Sequence, residues 1–277
     1  MMIGESFQVL KPLFGARQAV RLLARGPAFC KSIASFDVKE FRLDQETRFR
    51  QLGLDWQSAQ TLISRVPKDV GRRDASEHYS LFAAWLHSRP KSDILEVGTE
   101  TGQFSAFLSA LVPEGRVVTI DLPSEEPRYR NATALGSHDP GSRGLIPTDR
   151  ARFLNRPNIQ FVELNSLGLA NSSRRFDAIW LDGDHTNPVV TLDVAQVVRL
   201  VKPGGLLAMD DIRLPGTWYG VQGYDEAYQA LEALQSAGVI RYSLIHKRLT
   251  EQHLVLPEFR KYIAVVQRVS DTEPLGT

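Results

Sequence analysis

Along the chain the apolar and polar positions change period near Pro90. Before it, charged and apolar residues alternate in turns, the pattern of amphipathic helices. The stretch "DASEHYSLFAAWLHSRP" opens with Asp74 and, three residues on, Glu77, a capping arrangement that predicts a helix stopping at Pro90. After it come "DILEVG", "RVVTIDL", "IQFVELN", "FDAIWLDGD" and "GLLAMDD", short β-branched or aromatic runs bounded by Gly, Pro or charge. Between them, "QFSAFLSALV" and "PVVTLDVAQVVRLV" read as crossover helices, and "KPGG" (Lys202 to Gly205) as a turn. A helix over "YDEAYQALEALQSAG", closed by Gly238, leads to two last strands, "IRYSLIHKRL" and "KYIAVVQRV", expected to close the sheet antiparallel at its edge.

Strands alternating with helices predict an α/β domain with a doubly wound parallel sheet covered on both faces. The division expected is a helical N-terminal extension over residues 1–73, serving oligomerisation or as a substrate lid, and an α/β domain over 74–277. An insertion at 122–150, rich in Pro, Gly, Ser and charge, is longer than an ordinary connection and suits a lid or a disordered segment.

Composition narrows the partners. At 277 residues and 43% hydrophobic content the chain can bury a large core. Its 33 basic and 32 acidic side chains nearly cancel, which gives no reason to expect nucleic acid. The single cysteine, Cys30, excludes an intramolecular disulfide and a cysteine-rich zinc site and fits a cytoplasmic location. No apolar run approaches the roughly 20 residues that cross a bilayer, and the N-terminus lacks a signal-peptide pattern. Arg17, Arg21 and Arg25 share one helical face beside Leu13, Ala16, Val20 and Leu23. A helix there is expected to pack on the domain or in a homo-oligomer, with contact to a membrane surface by residues 10–25 the weaker alternative.

The segment "ILEVGTETGQF" runs from a strand through glycines into a helix, where α/β sheets bind ligands. Glu96 stands where a dinucleotide fingerprint has its first glycine, and a carboxylate there repels pyrophosphate but can meet an ammonium. Gly98 and Gly102 permit close approach of backbone to ligand. Asp121, 25 residues after Glu96, is placed to bind a ribose diol. Together these acids point to an adenosyl-amino acid.

The stretch "ILEVGTETGQFSAFLSALVPEGRVVTIDL" resembles the first two motifs of class I S-adenosylmethionine-dependent methyltransferases, with similarity over about Asp93 to Val269. The resemblance implies a Rossmann-like, seven-stranded, mostly parallel sheet with its last strand antiparallel. It also implies that Glu96, Gly98, Thr99 and Gly102 hold the methionine end of S-adenosylmethionine, Asp121 the ribose, and Asn165 and Ser166 the adenine edge, with Asp182 also at the cofactor. Asn165 and Ser166 equally suit the cap of a short helix.

In the sheet order of that family the fourth and fifth strands are neighbours, so Asp182, Asp210 and Asp211 are expected to converge. Three carboxylates together need a counter-charge. A hard divalent cation, Mg²⁺, Mn²⁺ or Ca²⁺, would supply it and would acidify and orient a hydroxyl. The pair "LDGDH" and "KPGGLLAMDDI" is similar to metal-dependent O-methyltransferases, most of all the macrocin-type branch that acts on sugars of natural products. By that similarity Asp182, Asp210 and Asp211 are metal ligands and Asp184 the base. His185 departs from the pattern and is a second candidate base, able to serve without metal. The plainer expectation is that Asp184 caps the helix beginning near Asn187 and Pro188, and that Asp211 pairs with Arg213 or another base.

The expected acceptor is a hydroxyl of a small molecule, such as a sugar, a natural-product glycoside or a phenol. Trp218, Tyr219 and Tyr224 are candidates to stack on it, and equally suit core or interface positions. A cofactor-binding protein without catalysis, acting as a scaffold, is the contrasting expectation.

Overall fold

Each of the seven runs after Pro90 that read as strands becomes a strand of one sheet. In the computed structural model the described residues are 36–67, 69–70, 76–123, 126, 146–215 and 225–269, with positions 6, 8–11, 19, 23, 30–31 and 33 nearer the N-terminus. The strands are β1 (Asp93–Val97), β2 (Arg116–Asp121), β3 (Ile159–Glu163), β4 (Phe176–Leu181), β5 (Val201–Ile212), β6 (Ile240–His246) and β7 (Tyr262–Arg268). They lie in the order β3-β2-β1-β4-β5-β7-β6. β3, β2, β1, β4 and β5 pair in parallel, while β7 runs antiparallel to both of its neighbours. The last strand is thus reversed as expected, but it is inserted between β5 and β6, which leaves β6 outermost. This is a Rossmann-like doubly wound sheet.

Alternation along each strand assigns its two faces. Ile94, Val117, Ala178, Trp180, Ala208 and Ile263 pack under α1 (Val38–Gln51), α2 (Trp56–Ile63), α3 (His78–Leu86) and α4 (Gln103–Leu111), through side chains such as Phe49, Ala59, Phe82 and Phe107. Leu95, Val97, Val118, Ile179, Leu207 and Met209 pack on the opposite face with α6 (Val189–Leu200) and α7 (Glu226–Ser236), after α5 (Ile146–Leu154) in chain order. Helices from the N-terminal part therefore complete the same core as the sheet.

α1 also protects the edge. Gln45 donates to the backbone carbonyl of His246 at 3.0 Å and accepts from its N–H at 2.9 Å, and Arg48 donates to the carbonyl of Leu244 at 2.7 Å. These bonds replace a missing strand partner along β6. Asp37 and Asp55 cap α1 and α2 by accepting from Lys39 N–H at 2.8 Å and Gln57 N–H at 3.0 Å.

Some local expectations change. Glu77 does not cap α3 with its side chain. Its carboxylate instead accepts from Trp56 Nε1 at 2.6 Å, tying α2 to α3, while Asp74 lies outside the described residues. The "KPGG" segment is absorbed into β5 as an irregularity, Phe176 facing Val201 and Ala178 facing Leu206. Leu10, Ala19 and Ile33 are buried against Val255 and Leu256, whereas Arg17, Arg21 and Arg25 lie outside the described residues. So do Trp218, Tyr219, Tyr224 and most of 122–150. No helix of the described residues is long and apolar enough to cross a membrane.

Candidate active site

The strand order turns back at β1, with β2 on one side and β4 on the other. A crevice opens at such a switch, beyond the carboxyl ends of the strands. β1 runs into Gly98, whose φ of 98° and neighbourhood both require glycine: a Cβ would stand 2.0 Å from the carbonyl oxygen of Asp182. The loop after β1 is thereby pressed against the tip of β4. Gly102, at φ 80°, opens α4, and a Cβ there would meet Leu154 of α5 at 2.7 Å.

Glu96 lies buried on β1 and accepts from the hydroxyls of Ser105 and Thr119, the second at 2.7 Å. Burial pushes its carboxyl up to about 8; the two hydroxyls pull against that, and Asp182 and Asp121 add to it. Thr99 is also buried, its hydroxyl 2.6 Å from that of Thr119. Asp121, at the tip of β2, accepts from the N–H groups of Glu100 at 3.0 Å and Leu122 at 2.9 Å. Arg150 of α5 closes on it at 2.8 Å and donates to the carbonyl of Glu100 at 2.9 Å. The proposed ribose acid therefore already holds a guanidinium, a partner the sequence did not signal.

Asn165 takes the plainer of its two expected roles: its side chain accepts from Leu167 N–H at 3.0 Å and caps the short 3-10 turn Ser166–Asn171. Ser166 bonds Asp193 of α6, a carboxyl that burial pushes up to about 6.

At the tip of β4, Asp182 Oδ1 lies 3.4 Å from His185 Nε2, with side chains 36% and 32% exposed, so the pair borders the crevice. Burial works against charge on both, yet their contact, with Lys247 nearby, holds Asp182 below its usual value and His185 above its own. Asp184 is held in a local turn, its Oδ1 accepting from Thr186 N–H at 2.9 Å and Thr186 Oγ1 at 2.6 Å.

The acids of β5 come together through a bulge. Met209 faces Ala264 and Ile212 faces Tyr262, so three steps along β5 oppose two along β7, and Asp211 takes φ 55°. Successive strand residues normally point to opposite faces. Here both Asp210 Oδ2 and Asp211 Oδ1 accept from one ammonium, Lys247 Nζ, each at 2.5 Å. Asp211 Oδ2 accepts from Lys261 Nζ at 2.5 Å, and Arg213 stands 4.0 Å away. Lys247 follows β6 and Lys261 precedes β7. Tyr262 pairs with both Ile212 and His246, and Lys247 N–H bonds the carbonyl of Lys261 at 2.9 Å, so one row of the sheet delivers both lysines to the acids. Neither lysine was anticipated; the available signal was a base at the tip of each of the last two apolar runs.

These contacts decide whether a divalent cation fits. Three carboxylates, Asp182, Asp210 and Asp211, face Lys247, Lys261 and Arg213. The charge is balanced by side chains, and both oxygens of Asp211 are engaged. A dication would add unbalanced charge beside two ammonium groups. Among the described residues no group of three or more His, Cys, Asp or Glu side chains is disposed to hold a metal ion. As arranged, the expected ligands do not fit one; what they meet is the "another base" of the plainer expectation for Asp211.

Residues 95–212 match the family described as a methyltransferase domain. That stretch runs from β1 to the end of β5 and takes in Glu96, Asp121, Asp182, His185, Asp210 and Asp211, but neither lysine. A comparison with curated proteins finds no match. Solved structures similar to this chain include cofactor-bound Rv0187 from MTB, at 18% identity and TM-score 0.49, covering 76% of this chain and 88% of that one. Others are the O-methyltransferase from Bacillus cereus in complex with SAH, at 15% identity and TM-score 0.46, covering 77% and 90%, and the precorrin-6y C5,15-methyltransferase from Geobacter metallireducens, at 17% and 0.45, covering 72% and 93%.

Proposed function

We propose that the chain transfers a methyl group from S-adenosylmethionine to a hydroxyl oxygen of a small molecule. The observation that carries this reading is the methyltransferase-domain match over residues 95–212, which spans the crevice where Gly98 presses on Asp182. The cradle has no phosphate-binding fingerprint, and its acids, Glu96 and Asp121, suit an ammonium and a ribose. When bound, the cofactor supplies an electrophilic methyl on a sulfonium.

In this reading the acceptor oxygen attacks the methyl carbon as the carbon–sulfur bond breaks, its electron pair going to sulfur, and the hydroxyl proton passes to His185. Asp182 stabilises the imidazolium so formed and strengthens the base. His185 is favoured over Asp184, whose carboxylate is engaged with Thr186. No step runs through a divalent cation. A sugar, natural-product glycoside or phenol as acceptor, a homo-oligomer and a cytoplasmic setting belong to the same proposal.

The test is release of S-adenosylhomocysteine over a panel of hydroxyl compounds, alongside direct binding of that product. Binding and turnover are expected, with His185→Ala lowering kcat at least about 100-fold and Asp184→Asn leaving most of it. Binding without turnover over the panel supports the scaffold instead, and absence of binding removes both readings.

A further inference from the structure

The acidic tips of β4 and β5 carry a cation of their own. We propose that Lys247 stands in for the divalent ion its neighbours would otherwise require, so that this site binds the acceptor hydroxyl through an ammonium and works without metal. The inference rests on the methyl-transfer reading for its substrate, but its central claim concerns ion binding and is tested separately.

The geometry supplies the argument. The bulge in β5 turns Asp210 and Asp211 to the same side, and the ammonium sits between them at 2.5 Å from each. Its side chain is 8% exposed and that of Asp210 is 3% exposed, so this is a built contact rather than a surface pairing. Lys261 completes Asp211 from the other side. An ammonium has three N–H donors. Two are engaged, and the third has no partner among the described residues. Asp210 Oδ1 is buried and likewise has no partner among them. An unengaged donor beside an unengaged acceptor is the complement of a hydroxyl, which accepts one hydrogen bond and donates another. The exposed side of the cluster is the Asp182–His185 pair, and Lys247 is near enough to help hold Asp182 ionised, so that side is where a hydroxyl would enter.

The distinction between ammonium and metal is one of charge, which two substitutions separate from shape. Lys247→Met keeps the length of the side chain and removes its charge; Lys247→Arg keeps the charge. Mn²⁺ binding to the full chain is measured by electron paramagnetic resonance, with a thermal melt in parallel. Wild type and Lys247→Arg are expected to show no saturable binding up to about 1 mM Mn²⁺. Lys247→Met, which leaves Asp210 without a cation and Asp211 with Lys261 alone, is expected to bind Mn²⁺ at least about tenfold more tightly than wild type and to melt higher when it is added. Saturable binding to wild type overturns the proposal, as does a Lys247→Met chain that binds no better than wild type. Should Lys247→Met not fold, wild type and Lys247→Arg decide alone, binding to either overturning the proposal and its absence from both upholding it. Binding of S-adenosylhomocysteine, measured on the same samples, reports on the methyl-transfer reading independently of the ion.

Discussion

Two acid-bearing tips of one sheet solve the same problem differently. At β1, Glu96 is buried among neutral partners, the hydroxyls of Ser105 and Thr119, and its carboxyl is pushed up to about 8. At β5, Asp210 and Asp211 are buried against ammonium groups with opposite results: burial pushes Asp210 up to about 7 against the pull of Lys247, whereas Asp211 is held far below the ordinary carboxylate range, because Lys247 and Lys261 outweigh burial there. A carboxyl near the same crevice is thus driven toward the proton at Glu96 and Asp210 and toward the ion at Asp211, which alone holds two ammonium groups. A buried acid is defined by its partner.

The sharpest way to break this contrast is Lys247→Met. Removing one partner from a buried ion cluster is expected to lower stability by about 3–5 kcal/mol in metal-free buffer, read by urea denaturation. A loss near zero would mean that the ammonium is not what holds the β5 acids. Gly98→Ala attacks the other tip. The new methyl would fall 2.0 Å from the Asp182 carbonyl at a φ of 98°, and a loss of about 2–3 kcal/mol is expected, together with weaker binding of S-adenosylhomocysteine in calorimetry. Unchanged stability and affinity would show that the loop after β1 does not bear on the tip of β4.

Glu96→Gln tests the neutral partner. Because the folded-state value is raised from 4.5 to about 8, folding takes up a proton between those values. The stability Glu96 contributes is full below about pH 4.5 and falls as pH rises toward 8, with a slope of at most about 1.4 kcal/mol per pH unit. The stability difference between wild type and Glu96→Gln should change across that window in urea melts at a series of pH values. A flat difference would mean that Glu96 is ionised like Asp211 on β5. The smallest effect is expected from Asn165→Ala, about 1 kcal/mol for a lost cap. Cofactor-product affinity should be unmoved if capping is its whole role; a loss of affinity would support the adenine edge as a second role.

Much of the fold could be read from local pattern, because burial imposes its period on neighbouring residues. Each run from "DILEVG" to "KYIAVVQRV" became a strand, and the glycines after β1 and at the end of α7 fell where the backbone takes positive φ. Asp184 illustrates the limit. Its spacing in "LDGDH" fits a base as well as it fits a turn, and only the bonds to Thr186 show the turn. Glu77 is similar: three residues from Asp74 it fits a capping box, yet Trp56 of another helix claims its carboxylate.

What the sequence determined by itself was the alternation of strands and helices, the glycine loop, and the placing of Glu96, Asp121, Asp182, Asp210 and Asp211 at strand ends. The tertiary structure decided which charges those acids face. The physical reason is range. Apolar period and turn chemistry act between residues a few positions apart. The meeting of Asp210 and Asp211 with Lys247 and Lys261 depends on β7 reversing between β5 and β6, and on one bulge that swings two adjacent side chains to the same side.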